Sequence, residues 1–166
     1  MKTHRLILLL GFFVPALLAA APPTEISLPA EAKSPIAAGV ALPAGRALFW
    51  TSGTVPAHLN KDGKTIYERY GDTYTQGVSA LKAIEKVLEA QGLTMKDVVY
   101  LRVYVVPDAA KDGKPDFAGW FKAYGEFFNN EKNPGKTARS TVAVAGLVSP
   151  DWLIEIEAFA AYPAAK

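Results

Sequence analysis

Apolar and polar residues alternate along the last third of the chain, from residue 136 to residue 161. This alternation predicts two β-strands joined by a short loop, because successive side chains of a strand point to opposite faces of a sheet. We interpret one side of the pair as a core face and the other as a face that groups Arg139 with Glu155 and Glu157. A cation and two carboxylates among small and apolar residues are unusual for a merely solvated face, so we expect a reactive or binding site there. The predicted members of that face are Arg139, Thr141 and Ala143 in the first strand and Leu153, Glu155, Glu157 and Phe159 in the second.

The remaining strands are predicted from runs of β-forming residues. Apolar residues flank a Pro-Ala-Gly turn, which predicts a hairpin formed by residues 39–42 and 47–53. The nearly continuous β-forming run 97–106 predicts a buried central strand. We expect Arg102, inside that run, to have a structural role such as pairing with a carboxylate.

Two helices are predicted from apolar residues at helical spacing. The first begins at Asp72, whose side chain is suited to capping free backbone amides, and ends at Gly92. The second begins at Asp116 and carries an aromatic stripe, which we assign to the core. The order β-β-α-β-α-β-β predicts an α+β fold, in which two helices cover one face of a mostly antiparallel mixed sheet of about six strands. We expect another copy of the chain to cover the other face.

The first 21 residues have the layout of a secretory signal peptide: a short basic start, an apolar run over residues 6–18 and three alanines. The alternative is a membrane anchor, but the apolar run is shorter than the roughly 20 residues that a spanning helix needs. We therefore expect a cleaved signal at 1–21, a tether or edge strand at 22–34 and one domain at 35–166. The protein would then be periplasmic or secreted, with no stable membrane anchor after cleavage.

Charge and composition exclude several classes of function. Removal of Lys2 and Arg5 with the signal would leave sixteen basic against sixteen acidic residues, which predicts no nucleic-acid partner. The chain has no cysteine, and His58 would be the single histidine of the mature chain, so cysteine catalysis is excluded and a Ser-His-Asp triad or a zinc cluster is disfavoured. We expect His58 to be a solvated loop residue.

Arg139 and the two glutamates are the chemistry that remains. The planar guanidinium of arginine holds a carboxylate through two parallel hydrogen bonds, and a nearby glutamate could orient a water molecule. The alternative is an ordinary cross-strand ion pair between Arg139 and Glu157, of small energetic value. The pattern alone leaves both interpretations open.

The tail TARSTVAVAGLVSPDWLIEIEAFA resembles the signature of the Rid family, the YjgF-like reactive intermediate deaminases. Weaker similarities are Thr51-Ser52-Gly53, Gln76 and the run Ala90-Gln91-Gly92-Leu93, so the resemblance extends from about residue 34 to residue 161. It implies a chorismate-mutase-like α+β domain that forms a homotrimer with sites between subunits.

The resemblance also implies an activity: hydrolysis, without cofactor or metal, of small 2-imino acids such as 2-iminobutanoate and 2-iminopropanoate to 2-keto acids and ammonia. By position, Arg139 would grip the substrate carboxylate and Glu155 would assist the water. Gly53 would supply a backbone contact, and Thr141, where the family often has cysteine, would contact substrate.

Two other positions depart from the family pattern. Ile36 stands where a tyrosine commonly lines the site, and Phe121 stands where asparagine is usual. A non-catalytic trimeric module that binds small carboxylates is therefore an alternative to the deaminase. An endoribonuclease is less favoured, since the mature chain would be neutral and lack paired histidines.

Overall fold

The structure, a computed structural model, describes residues 21–164, and almost all of the predicted signal peptide lies outside them. None of the helices formed by residues 21–164 has both the length and the apolar composition needed to cross a membrane. The strands are β1 (Leu48–Trp50), β2 (Val98–Val105), β3 (Pro107–Asp108), β4 (Lys114–Pro115), β5 (Ala138–Ala143) and β6 (Ile154–Ala161). The helices are α1 (Ile66–Arg69), α2 (Thr73–Glu89) and α3 (Phe117–Phe127), and two short 3-10 turns span Met95–Asp97 and Ala109–Lys111.

The main sheet has four strands in the order β1-β6-β2-β5, so the predicted number of about six was too high. Strand β2 is central as predicted, pairing in parallel with β5 and antiparallel with β6. Strands β3 and β4 form a separate two-stranded sheet. The α+β class and the mixed, mostly antiparallel sheet are confirmed.

The predicted N-terminal hairpin is wrong. Residue Ala41 forms an isolated bridge with Ser27, and β1 pairs antiparallel with β6 at the far end of the chain. A lone two-stranded hairpin is marginally stable, whereas β1 gains more by extending an existing sheet. The turn residues were recognised correctly, but the partner of the following strand was not.

Both long helices begin at the predicted capping residues. The Asp72 carboxylate accepts a hydrogen bond from the Thr75 amide at 2.8 Å, and the Asp116 carboxylate accepts one from the Gly119 amide at 3.0 Å. Helix α2 ends two residues before Gln91, and Gly92 follows with a φ of +71°, a conformation that favours glycine. Helix α1 was not predicted, because its single turn lies inside a polar loop.

The hydrophobic core lies between one face of the sheet and helices α2 and α3. Its fully buried members include Leu81, Ile84 and Leu88 from α2. The sheet contributes Leu101, Val103, Ile154, Ile156 and Ala158. The aromatic stripe of α3 is largely core, as predicted, since Trp120 and Tyr124 are buried. Phe121 differs, with 49% of its surface exposed.

Strand β2 lies between β5 and β6, and this order changes which of their residues share a face. Arg139 stands opposite Leu101, a core residue, so it lies on the helix side of the sheet. Glu157 stands opposite Arg102, on the face without helices, which we call the open face. The predicted grouping of Arg139 with Glu155 and Glu157 is therefore wrong. Alternation separates the faces of each strand, but only the register with β2 decides which faces match.

Candidate functional site

Arg139 packs into an aromatic wall supplied by one helix. Its guanidinium carbon lies 4.4 Å from the ring centre of Tyr124, 4.7 Å from that of Phe121 and 5.7 Å from that of Trp120. All three rings belong to α3, which crosses the helix side of the sheet beside edge strand β5. Attraction between a cation and the faces of aromatic rings offsets part of the cost of burying the charge.

Arg139 forms no ion pair with a carboxylate among residues 21–164. One terminal guanidinium nitrogen is buried and donates no hydrogen bond within that range. Burial lowers the pKa of Arg139, opposed in part by Tyr124. Arginine nevertheless stays protonated near neutral pH. A half-buried cation with a buried free donor is costly unless it binds an anion, and a carboxylate matches its geometry.

Thr141 follows on the same face of β5, two residues from Arg139. Its hydroxyl oxygen accepts a hydrogen bond from the indole N–H of Trp120 at 3.2 Å. This contact ties the aromatic wall to the strand that carries Arg139. The hydroxyl proton remains available to donate, so a substrate contact by Thr141 stays a prediction.

Glu155 and Gly53 meet on the open face. Two backbone hydrogen bonds between Thr54 and Ile156, of 2.8 and 3.0 Å, hold the two segments together. A Cβ atom added at Gly53 would lie 1.8 Å from a carboxylate oxygen of Glu155, so only glycine leaves room for that carboxylate. Gly53 and Glu155, two of the residues that the family resemblance implied for the site, are therefore neighbours.

The Glu157 side chain makes hydrogen bonds, whereas that of Glu155 makes none with the described residues. The Glu157 carboxylate accepts hydrogen bonds from Arg102 at 3.0 Å and from the Tyr104 hydroxyl at 2.9 Å. The structural role predicted for Arg102 is confirmed, and the alternative ion pair between Arg139 and Glu157 is wrong. Within the described part of the chain, the Glu155 side chain makes no hydrogen bond, so its oxygens are available to a water molecule or a ligand.

The four predicted site residues thus form two pairs rather than one cluster. Arg139 and Thr141 lie on the helix side of β5, whereas Gly53 and Glu155 lie on the open face beside β6. These strands are two positions apart in the sheet, which is about 10 Å at the usual strand spacing. One small substrate cannot contact both pairs within a single subunit.

A cavity of about 590 Å³ adjoins Arg139 at the edge of β5, where the N-terminal segment passes the strand. Ile36 and Val40 line it, so the position predicted to replace a family tyrosine is indeed beside the arginine. The segment is held by a hydrogen bond from the Ala37 amide to the Thr137 carbonyl at 3.0 Å.

Sequence reasoning missed the aromatic wall because it assigned the whole stripe of α3 to the core. A signal was present: Trp120 and Phe121 are consecutive, so a helix turns them about 100° apart and both cannot point into the centre of the core. His58 was expected to be merely solvated. It is exposed, but its ring nitrogen also shares a hydrogen bond of 2.8 Å with the Tyr70 hydroxyl.

Comparison with known proteins shows the family of this chain. A family model described as Endoribonuclease L-PSP matches residues 33–162. A Rid family protein of unknown function, YyfB from Yersinia pestis, has a structure that superposes with a TM-score of 0.62 at 25% identity, covering 83% of this chain and 99% of that one. The chain belongs to the Rid (YjgF-like) family.

Two further proteins are similar to this Rid-family chain. A RutC family protein of Pyrococcus horikoshii is 38% identical over 120 residues, which are 72% of this chain and 82% of that protein. Escherichia coli TdcF, solved with bound serine, superposes with a TM-score of 0.56 at 25% identity, covering 85% of this chain and 100% of that one. The α+β fold of this chain is that of the solved structures of YyfB and TdcF.

Proposed function

We propose that this protein hydrolyses 2-imino acids to 2-keto acids and ammonia, with Arg139 as the anchor of the substrate carboxylate. The observation that carries the proposal is the protonated guanidinium of Arg139, walled by three rings and without an acidic partner among the described residues. Membership of the Rid family, which includes imine deaminases, supports the reaction. The serine bound to TdcF, an amino acid with an α-carboxylate, supports the ligand class.

The opposite placement of Arg139 and Glu155 supports a site shared between subunits. In a homotrimer the open face of one copy would be covered by another, which would bring Glu155 and Gly53 of one subunit towards Arg139 of its neighbour. Exposed apolar residues on the open face support such cover, since Trp50 is 64% exposed and Val142 is 45% exposed.

The reaction needs only a positioned water and a proton acceptor. Arg139 would hold the carboxylate so that the C=N carbon faces a water molecule at Glu155. The imine reacts as its protonated iminium form. Water adds to that carbon while Glu155 takes one of its protons, which forms a neutral carbinolamine. Glu155 then returns the proton to the amine nitrogen, the C–N bond breaks to release ammonia, and the carbinolamine hydroxyl gives its proton to Glu155 as the C=O bond of the keto acid forms. No cofactor takes part in this sequence.

A non-catalytic module for small carboxylates is the second candidate. It is favoured by Ile36 and Phe121, which bring apolar groups to Arg139 instead of a hydroxyl and an amide. An endoribonuclease, which the family description names, is less favoured. The expected mature chain is neutral, and His58 is its only histidine.

The test is the release of ammonia and keto acid from enzymatically generated 2-iminopropanoate and 2-iminobutanoate. We expect acceleration by the protein, and a loss of about a hundredfold or more in kcat/KM for Arg139→Met, since charged hydrogen bonds to the carboxylate are removed. The melting temperature of Arg139→Met should be unchanged or higher, because the substitution removes a half-buried charge that has no acidic partner among residues 21–164.

Glu155→Gln and Glu157→Gln form a matched pair for the same assay. We expect a loss of about a hundredfold or more for Glu155→Gln, the usual size of a general acid-base contribution, and a far smaller loss for Glu157→Gln. No acceleration by the folded wild-type protein would exclude the deaminase and leave the binding module.

A further inference from the structure

The cavity beside Arg139 presents an apolar surface to the rest of a bound ligand. Aliphatic residues line the cavity from two parts of the chain. The N-terminal segment contributes Ile36, Ala37, Ala38 and Val40, and β5 contributes Ala138. At about 590 Å³ the cavity lies in the range of sites that enclose drug-sized molecules. It is larger than a three-carbon acid needs.

The three hydroxyl side chains of the cavity wall already make hydrogen bonds. The Tyr100 hydroxyl donates to the Ser140 hydroxyl at 2.6 Å, and the Ser34 hydroxyl donates to the Ile36 carbonyl at 2.7 Å. A polar ligand side chain would have to compete with these hydrogen bonds, whereas an apolar one would not.

The charges at the cavity also discriminate between ligands. Arg139 supplies the one positively charged side chain of the lining. Its contacts with aromatic rings use none of its N–H donors, so these remain available to a single carboxylate. Glu31, also in the lining, has no salt-bridge partner among residues 21–164. A second carboxylate on the ligand would meet the repulsion of Glu31 and lack a cation of its own.

We infer that this cavity makes the site selective for 2-imino acids with apolar side chains of four or more carbons, with Val40 and Ile36 contacting the side chain. The inference rests on the proposed function for the role of Arg139 as carboxylate anchor. It names the substrate class that the proposed function leaves open. Substrates with methyl or ethyl side chains would react but would leave most of the apolar wall uncovered.

The first test uses stable 2-keto acids as ligands, so that it does not depend on turnover. Calorimetry on the wild-type protein would compare pyruvate, 4-methyl-2-oxopentanoate and 2-oxoglutarate. We expect 4-methyl-2-oxopentanoate to bind about tenfold or more tightly than pyruvate, since each buried methylene strengthens binding severalfold. We expect 2-oxoglutarate to bind most weakly of the three.

Val40→Thr tests the cavity wall with a substitution that keeps the side-chain shape and adds a hydroxyl. The preference for 4-methyl-2-oxopentanoate over pyruvate should fall about threefold or more. Val148→Thr is the matched control, because Val148 is 93% exposed and lies outside the cavity. Its ligand preference should equal that of the wild type.

The outcomes separate this inference from the proposed function. Equal affinities of the wild type for pyruvate and 4-methyl-2-oxopentanoate, or the same change in both valine variants, would overturn the selectivity and leave hydrolysis to be judged by ammonia release. Selective binding without ammonia release would support the selectivity and overturn the deaminase. No binding of any of the three acids would overturn both.

Discussion

At the scale of single residues, the site depends on two side chains left without ordinary partners. Arg139 is a cation in a wall of rings, and Glu155 is a carboxylate whose oxygens make no hydrogen bond in the described range. Arg102 and Glu157, at similar depth in the sheet, pair with each other. Unpaired charges at otherwise well-ordered positions are typical of functional sites, because selection for ligand binding competes with selection for stability.

The contact between Gly53 and Glu155 gives a residue-scale prediction. Gly53→Ala places a methyl group where the carboxylate now lies, so Glu155 must move by more than an ångström. We expect kcat for imine hydrolysis to fall about tenfold to a hundredfold, the usual effect of displacing a catalytic group by this distance. Thermal stability should change little, because the displaced group is the far end of a flexible side chain.

Gly146→Ala is the control for that variant, since a Cβ atom at Gly146 meets nothing within 4 Å. Its kcat should match the wild type. If Gly53→Ala retained full activity in steady-state assays, the assignment of Glu155 as the water-orienting group would be wrong.

At the scale of elements, polar contacts connect the helices to the start of β6. Arg69, at the end of α1, makes two hydrogen bonds of 2.7 Å to the Asp151 carboxylate. Gln76 of α2 is fully buried; it donates to the Asp151 carbonyl at 3.1 Å and accepts from the Leu153 amide at 2.8 Å. These contacts orient the strand that carries Glu155.

The link between α1 and β6 predicts a pH dependence of stability. Hydrogen bonding to Arg69 holds the pKa of Asp151 below its usual range. A carboxyl with a depressed folded-state pKa adds stability above its unfolded pKa, about 3.9, and loses it as the pH falls through the folded value. Asp151→Asn should therefore be less stable than wild type at neutral pH, with the difference vanishing in strong acid.

Urea denaturation of both proteins across the acid range would measure this difference. Asp62→Asn is the control, because its carboxylate accepts no hydrogen bond from the described residues and lies on the surface. A difference between Asp151→Asn and wild type that stayed constant with pH would show that the ion pair is not its source.

At the scale of the whole molecule, the proposed function requires subunits to assemble, because Arg139 and Glu155 lie on opposite faces of the sheet. The open face carries a line of aromatic contacts: the ring centres of Trp50 and Phe159 lie 4.9 Å apart in a tilted arrangement, and those of Phe159 and Tyr100 lie 5.3 Å apart, edge to face. With Arg102 above Phe159 at 5.3 Å, this surface is too apolar for a face that meets only solvent. We propose that it is the trimer interface.

A mixing experiment tests the shared site directly. Arg139→Met and Glu155→Gln subunits, each nearly inactive alone, would be unfolded and refolded together in equal amounts. If each site takes Arg139 from one subunit and Glu155 from another, about a third of the sites in mixed trimers and about a quarter of all sites should be intact, so activity should recover to about a quarter of the wild-type value.

Refolding Arg139→Met with the Arg139→Met/Glu155→Gln double variant is the control, because no subunit then carries the arginine. It should recover no activity. A mixture of the two single variants that also recovered none, despite forming trimers by light scattering, would place both residues of each site in the same subunit.

Much of the fold follows from local patterns in the sequence. The caps at Asp72 and Asp116, the strand centred on Leu101 and the core face of β6 were all predicted, since each depends on neighbouring residues and a fixed helical or strand period. The short strand β1 was predicted as a strand but given the wrong partner, because pairing with β6 joins residues more than a hundred positions apart.

The sequence by itself determined which residues are candidates for the site, the separation of each strand into two faces and the family resemblance. Only the tertiary structure decided which faces belong together. Alternation along the two strands predicted that Arg139 and Glu155 lie on the same face. Because β2 lies between β5 and β6 and sets the register of both, the two side chains lie on opposite sides of the sheet. The physical reason is that alternation is a local property of one strand, whereas register and neighbour order depend on packing of the whole chain.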